Sequence, residues 1–111
     1  MGVAKRGDIV SIATQGDFGK PRPALVIQSD LFSAHPSVSV LPITSFLLDA
    51  PLLRITLEPN ELNGLKKRSQ VMIDKTVTVV REKIGGQIGS LDFATMQEIE
   101  RCLAVFLGIV R

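Results

Sequence analysis

Lys20-Pro21-Arg22-Pro23-Ala24-Leu25-Val26-Ile27 is the stretch on which the architecture turns. A residue that precedes proline is pushed into an extended conformation, and each proline fixes its own φ. Lys20 and Arg22 are both constrained in this way, so the segment is a stiff lead-in. It opens onto Ala24-Leu25-Val26-Ile27, a compact apolar run with the pattern of a strand buried on both faces.

Outward from this stretch, turn residues punctuate the chain at short intervals. Residues 8–14 predict a first strand, with a flexible loop over 15–20 after it. Residues 37–44 are rich in β-branched side chains and partly alternate, which predicts a third strand. A fourth is expected over 53–57, and 60–67, carrying Asn63-Gly64, is a turn-rich connection. Residues 70–74 and 76–80 read as strand, broken at Asp74-Lys75, and 83–88 as a last short strand among Gly85, Gly86 and Gly89. Short strands with turn signals about every eight to twelve residues predict a small β-barrel or a strongly bent sheet.

The period then changes. Asp92 is a good N-cap, and Met96, Ile99, Leu103, Phe106 and Val110 recur in steps of three and four, while Gln97, Glu98, Glu100 and Arg101 take the other face. This predicts one amphipathic helix packed on the sheet. At 111 residues the chain fits a single domain, 1–111, and 45% hydrophobic with 22% charged residues describes a globular protein. Its net charge of +2 permits contact with nucleic acid but is far from a basic arm. The polar start MGVAKRGD has no apolar stretch of signal-peptide length, and no run approaches a membrane span, so a cytoplasmic location is expected. One cysteine, Cys102, excludes an internal disulfide, and with the lone His35 it is too little for structural zinc.

Three segments could carry chemistry. Arg22 holds a guanidinium on a stiff backbone at the mouth of a buried strand, which suits a planar anion such as phosphate. A surface arginine in a salt bridge is the plainer reading. Thr44-Ser45 places two hydroxyls where an apolar strand ends; they could donate to phosphate oxygens or simply cap the backbone. Asp74, with Lys75 beside it, closes Val71-Met72-Ile73 and could be a partly buried proton acceptor, or could accept bonds from its own turn. Phe18 in the first loop and Phe46 after Thr44-Ser45 could flank a common site and stack on bases, although packing roles suit them equally. His35 reads as an exposed loop residue and Cys102 as a small core hydrophobe, and neither is assigned a catalytic role.

In combination these signals are specific. Arg6-Gly7-Asp8-Ile9-Val10, then Arg22-Pro23-Ala24-Leu25-Val26, then Pro42-Ile43-Thr44-Ser45 resemble the MazF/PemK family of toxin endoribonucleases. Ser69-Gln70-Val71-Met72-Ile73-Asp74, and Ile88-Gly89-Ser90-Leu91 before a terminal helix, extend the resemblance over nearly the whole chain. It implies a small SH3-like β-barrel with a C-terminal helix, working as a homodimer. It also implies that the main catalytic pair falls on Arg22 and Thr44. Some members add an aspartate matching Asp74 as general base. Those members carry an arginine two residues earlier, where this chain has Met72, and a histidine in the first loop, where residues 15–20 have none. Lys75 replaces a common glutamine and would add a phosphate contact.

The implied activity is sequence-specific, metal-independent cleavage of single-stranded RNA, with no cofactor. The ribose 2′-hydroxyl attacks the adjacent phosphorus, leaving a cyclic phosphate and a 5′-hydroxyl. Arg22 would stabilise charge, Thr44 would hydrogen-bond beside it, Asp74 would accept the proton, and Lys20, Ser45, Lys75, Phe18 and Phe46 would bind RNA. The expected partners are a second copy of the chain and a cognate antitoxin with a disordered acidic tail. Two alternatives are non-catalytic. One is a CcdB-like toxin that binds DNA gyrase, whose tail pattern Phe106-Leu107-Gly108-Ile109 loosely echoes. The other is an RNA-binding or interaction domain of the same shape.

Overall fold

The computed structural model describes residues 4–13 and 20–110. The strands are β1 (Asp8–Ala13), β2 (Pro21–Val26), β3 (Ser37–Thr44), β4 (Arg54–Leu57), β5 (Ser69–Met72), β6 (Val77–Val80) and β7 (Ile84–Ser90). A helix, α1 (Phe93–Phe106), follows. Each expected strand is present, and the break at Asp74-Lys75 separates β5 from β6. All the pairings are antiparallel, in the order β4-β5-β3-β2-β1-β7, with β6 also on β3. The expected small barrel is thus a loose one: among the described residues its end strands, β4 and β7, do not pair.

Strand β2 begins at Pro21, so the stiff lead-in is itself part of the ladder. Pairing with β1 spans residues 21–25, while pairing with β3 is confined to residues 24–26. Both prolines thus lie where the strand has a ladder partner on one side only, the setting in which a missing N–H is tolerated. Strand β3 is the hub. Residues 37–40 pair with β6, 40–42 with β2, and Ile43 and Thr44 with β5.

Alternation along the strands buries both faces of the sheet. Ile9, Leu25, Leu41, Ile43, Val71 and Ile73 pack with Met96, Ile99, Cys102 and Leu103 of α1. On the other face Val10, Ile12, Ala24, Val26, Val38, Val40 and Val79 form a second cluster. The doubly buried run in β2 follows, with Leu25 in the first cluster and its two neighbours in the second.

The helix starts as the sequence predicts, with the Asp92 carboxylate accepting the Thr95 N–H at 2.8 Å. Its buried stripe is shorter than expected. Cys102 joins Met96, Ile99 and Leu103, whereas Phe106 and Val110 are exposed. Gly108 ends the helix at φ 76°, with Gly108 N–H donating to the Val105 carbonyl and Ile109 N–H to the Ala104 carbonyl. These are the paired bonds of a Schellman cap, for which the left-handed residue is usually glycine. Phe106 is in the last turn before that cap and Val110 lies beyond it, and both stay exposed.

Candidate active site

The register between β2 and β3 bears on the first two candidates. Ala24 pairs with Pro42, Leu25 with Leu41 and Val26 with Val40. Continued by two residues, this alignment sets Arg22 opposite Thr44. By alternation, both belong to the face of the second cluster, away from α1. Thr44 in turn pairs with Gln70 on β5, Gln70 with Thr56 on β4, and Met72 with Arg54. Ile43, Val71 and Ile55 take the helix side. Arg22, Thr44, Gln70, Thr56, Met72 and Arg54 therefore share one outer face across four strands.

Thr44 is half-buried and its Oγ1 accepts the Phe46 N–H at 3.0 Å. This is the capping role weighed from sequence, and it does not use the hydroxyl hydrogen, which can still serve a ligand oxygen. Ser45 is exposed, and Phe46 is 72% exposed, so its ring is a surface available for stacking and not core. Lys20 is exposed immediately before β2. Phe18 and the rest of the loop 14–19 lie outside the described residues.

Asp74 is set apart from this row, in the turn that follows β5. Its carboxylate accepts a hydrogen bond from Lys75 Nζ at 3.1 Å. That bond lowers the Asp74 pKa; partial burial opposes it, and a backbone hydrogen bond and the charges of Lys75 and Arg54 add to the lowering. The group is ionised throughout the neutral range and is a correspondingly weak base. One of the three N–H donors of Lys75 is engaged in this pair. Among the described residues no cluster of His, Cys, Asp and Glu is grouped to hold a metal ion. His35 is exposed, with Nδ1 accepting the Ser37 N–H at 3.1 Å, and Cys102 is buried.

Residues 5–107 match the PemK-like, MazF-like toxins of type II toxin–antitoxin systems. The chain belongs to this family. A probable MazF endoribonuclease of Mycolicibacterium smegmatis is 48% identical over 106 residues, covering 95% of this chain and 97% of that protein. Endoribonuclease EndoA of Bacillus subtilis is 25% identical over 97% of each chain. A MazE–MazF crystal structure from Deinococcus radiodurans has the same fold, with a TM-score of 0.79 at 24% identity over 97% of this chain and 98% of that one. An endoribonuclease bound to its cognate antitoxin, from a mycobacterial species, gives 0.78 at 23% identity over 97% and 96%.

Within this MazF/PemK face, two residues escape a sequence reading centred on hydroxyls and carboxylates. Gln70 is buried at 6% exposure. Its Oε1 accepts from Leu48 N–H at 3.0 Å and Arg54 Nη1 at 3.1 Å. Its Nε2 donates to the Leu48 carbonyl at 3.0 Å and Thr56 Oγ1 at 3.1 Å. Arg54 Nη1 also donates to the Phe46 carbonyl at 3.0 Å. The available signal was the period-two pattern Arg54-Ile55-Thr56-Leu57, which sets Arg54 and Thr56 on the polar face of β4.

Proposed function

We propose that this chain, as one toxin domain spanning 1–111, is a sequence-specific endoribonuclease that cleaves single-stranded RNA without a metal and is restrained by a cognate antitoxin. The observation that carries the reading is the β2–β3 register, which if continued two residues beyond its pairs would set Arg22 opposite Thr44, in a chain of this toxin family. The 2′-hydroxyl attacks the adjacent phosphorus and its proton passes to a base; the P–O5′ bond breaks, and the 5′-oxygen takes a proton from the protonated base or from solvent to leave as a hydroxyl. The Arg22 guanidinium, charged at any working pH, stabilises the charge that builds on the non-bridging oxygens. The Thr44 hydroxyl donates beside it. Asp74 is the proton acceptor of this scheme, its carboxylate kept ionised by Lys75. Lys20, Lys75, Ser45 and the Phe46 ring, with Phe18 of the first loop, follow the RNA strand. The gyrase-binding alternative has less behind it, because Gly108 in Phe106-Leu107-Gly108-Ile109 already has a local cause in the helix cap.

Incubating the purified protein with a long single-stranded RNA in excess EDTA, and mapping the ends, tests this directly. Full cleavage is expected, giving cyclic phosphate and 5′-hydroxyl termini at a recurring short motif. Activity lost in EDTA and restored by magnesium would overturn the mechanism.

Assembly follows from the exposed end of the helix. Phe106, Leu107, Ile109 and Val110 are 47–74% exposed, while Leu103 is covered by the sheet. A two-fold homodimer in the cytoplasm would hide part of this apolar surface and leave a basic groove between subunits. An acidic, disordered antitoxin tail that folds into that groove would compete with RNA, and its inhibition would weaken with salt. Light scattering at micromolar concentration should give twice the chain mass; an active monomer would rule out the groove.

A further inference from the structure

The turn that carries Ser45 and Phe46 is pinned from outside its own backbone. Gln70 clamps Leu48 at two points, through its N–H and its carbonyl, at 3.0 Å each. With Arg54 and Thr56 as the other partners, all four of the hydrogen bonds its amide can readily form are made. Arg54, half-buried and opposite Met72, completes the arrangement. One nitrogen, Nη1, bonds both the Phe46 carbonyl and Gln70 Oε1. The Phe46 N–H is the group that Thr44 Oγ1 accepts. The guanidinium thus holds the same peptide segment that fixes the Thr44 side chain, and its charge also acts on Asp74.

We propose that Arg54 is a positioning residue of the RNA-cleaving site, holding the Thr44–Phe46 turn so that the Thr44 hydroxyl meets the reacting phosphate alongside Arg22. The inference rests on the ribonuclease reading and deepens it. Arg54 need not touch RNA. Its work is done through Phe46 and Gln70, and losing it lets the turn shift while the strand pairing of β3, β4 and β5 persists. A displacement of about 1 Å at a reacting group costs up to about a hundredfold in rate.

The test compares wild type, Arg54→Met and Arg54→Lys on a short single-stranded RNA centred on a cut site mapped with wild type, alongside amide exchange at Phe46 and Leu48. Arg54→Met should lower kcat by about tenfold or more with KM changed less than about twofold. The Phe46 and Leu48 amides should exchange faster, and the acidic limb of the pH–rate profile should move to higher pH as Asp74 loses a neighbouring cation. Lysine keeps a cation with donors for two acceptors, so Arg54→Lys should recover most of the rate and slow the exchange again. If Arg54→Met folds poorly, the lysine variant and exchange in its folded fraction still decide. Normal kcat in Arg54→Met, or a raised KM with kcat intact, would overturn the positioning role. An inactive wild type would instead overturn the ribonuclease reading itself, and this inference with it.

Discussion

Replacing Arg22 by alanine should lower RNA cleavage by at least about a hundredfold, and Thr44→Ala should do the same. In the proposed mechanism each removes a donor aimed at the charge that builds on the phosphate in the transition state, and such donors are worth about 3–4 kcal/mol of barrier. The double variant should lose little more than either single one, because the two groups act on one phosphate. Folding should be nearly untouched: Arg22 is exposed at the start of β2, and surface substitutions typically stay within about 0.5 kcal/mol. Asp74→Asn should cost less than Arg22→Ala, since a carboxylate already lowered by Lys75 is a weak base. Asp74 titrates below its ordinary value of 3.8, so its ionised form favours the folded state at neutral pH. That contribution disappears as pH falls through the folded pKa, and Asp74→Asn should therefore soften the acid sensitivity of stability. An Arg22→Ala protein that cleaves at the wild-type rate would remove the central assignment. A larger loss in Asp74→Asn, with its acidic limb flattened, would make the aspartate the principal base.

The parts of the fold that were legible from sequence are those in which one local rule acts alone. The β-branched alternation of 37–44 coincides with β3, and the Asp92 cap opens α1 where the period changes. Arg22 and Thr44 were legible through flanking prolines and a strand end. Their alignment was not, because it depends on the register between β2 and β3, which no short segment specifies. Gln70 was hidden for the same reason. Read along the chain it is a polar residue opening an apolar run, and its four hydrogen bonds go to three residues in two other segments, Leu48 and then Arg54 and Thr56 of β4. The stripe at Phe106 and Val110 failed differently. Periodicity reports which face is apolar, while the extent of the sheet decides how much of that face is covered.

The largest effects on stability are expected at Gly89 and Gly64. The connection between β4 and β5 lies directly against β7 there. Asn63, 2% exposed, organises it. Its Oδ1 accepts from Asn60 and Leu65 N–H at 3.0 Å, its Nδ2 donates to the Glu58 carbonyl at 2.8 Å, and its own N–H donates to Asn60 Oδ1 at 2.7 Å. The Leu62 carbonyl then accepts the Ser90 N–H at 2.9 Å. A Cβ at Gly89 would overlap the Asn63 carbonyl group, and one at Gly64 would overlap the Ile88 carbonyl at a φ of +66°. Both clashes are with backbone, which no side-chain rotation relieves. Gly89→Ala should therefore destabilise the protein by about 3 kcal/mol or more, at the upper end for overpacking, and lower the melting temperature by about 10 °C or more. Gly64→Ala adds left-handed strain of about 1–2 kcal/mol to a comparable overlap. Gly86, where an added Cβ meets nothing within 4 Å, is the control: Gly86→Ala should stay within about 0.5 kcal/mol. Urea denaturation of the three variants measures the ranking, and a Gly89→Ala midpoint equal to that of Gly86→Ala would mean the connection gives way without cost. At temperatures where Gly89→Ala remains folded, its kcat on RNA should match wild type, since none of the displaced groups belongs to the face that holds Arg22 and Thr44.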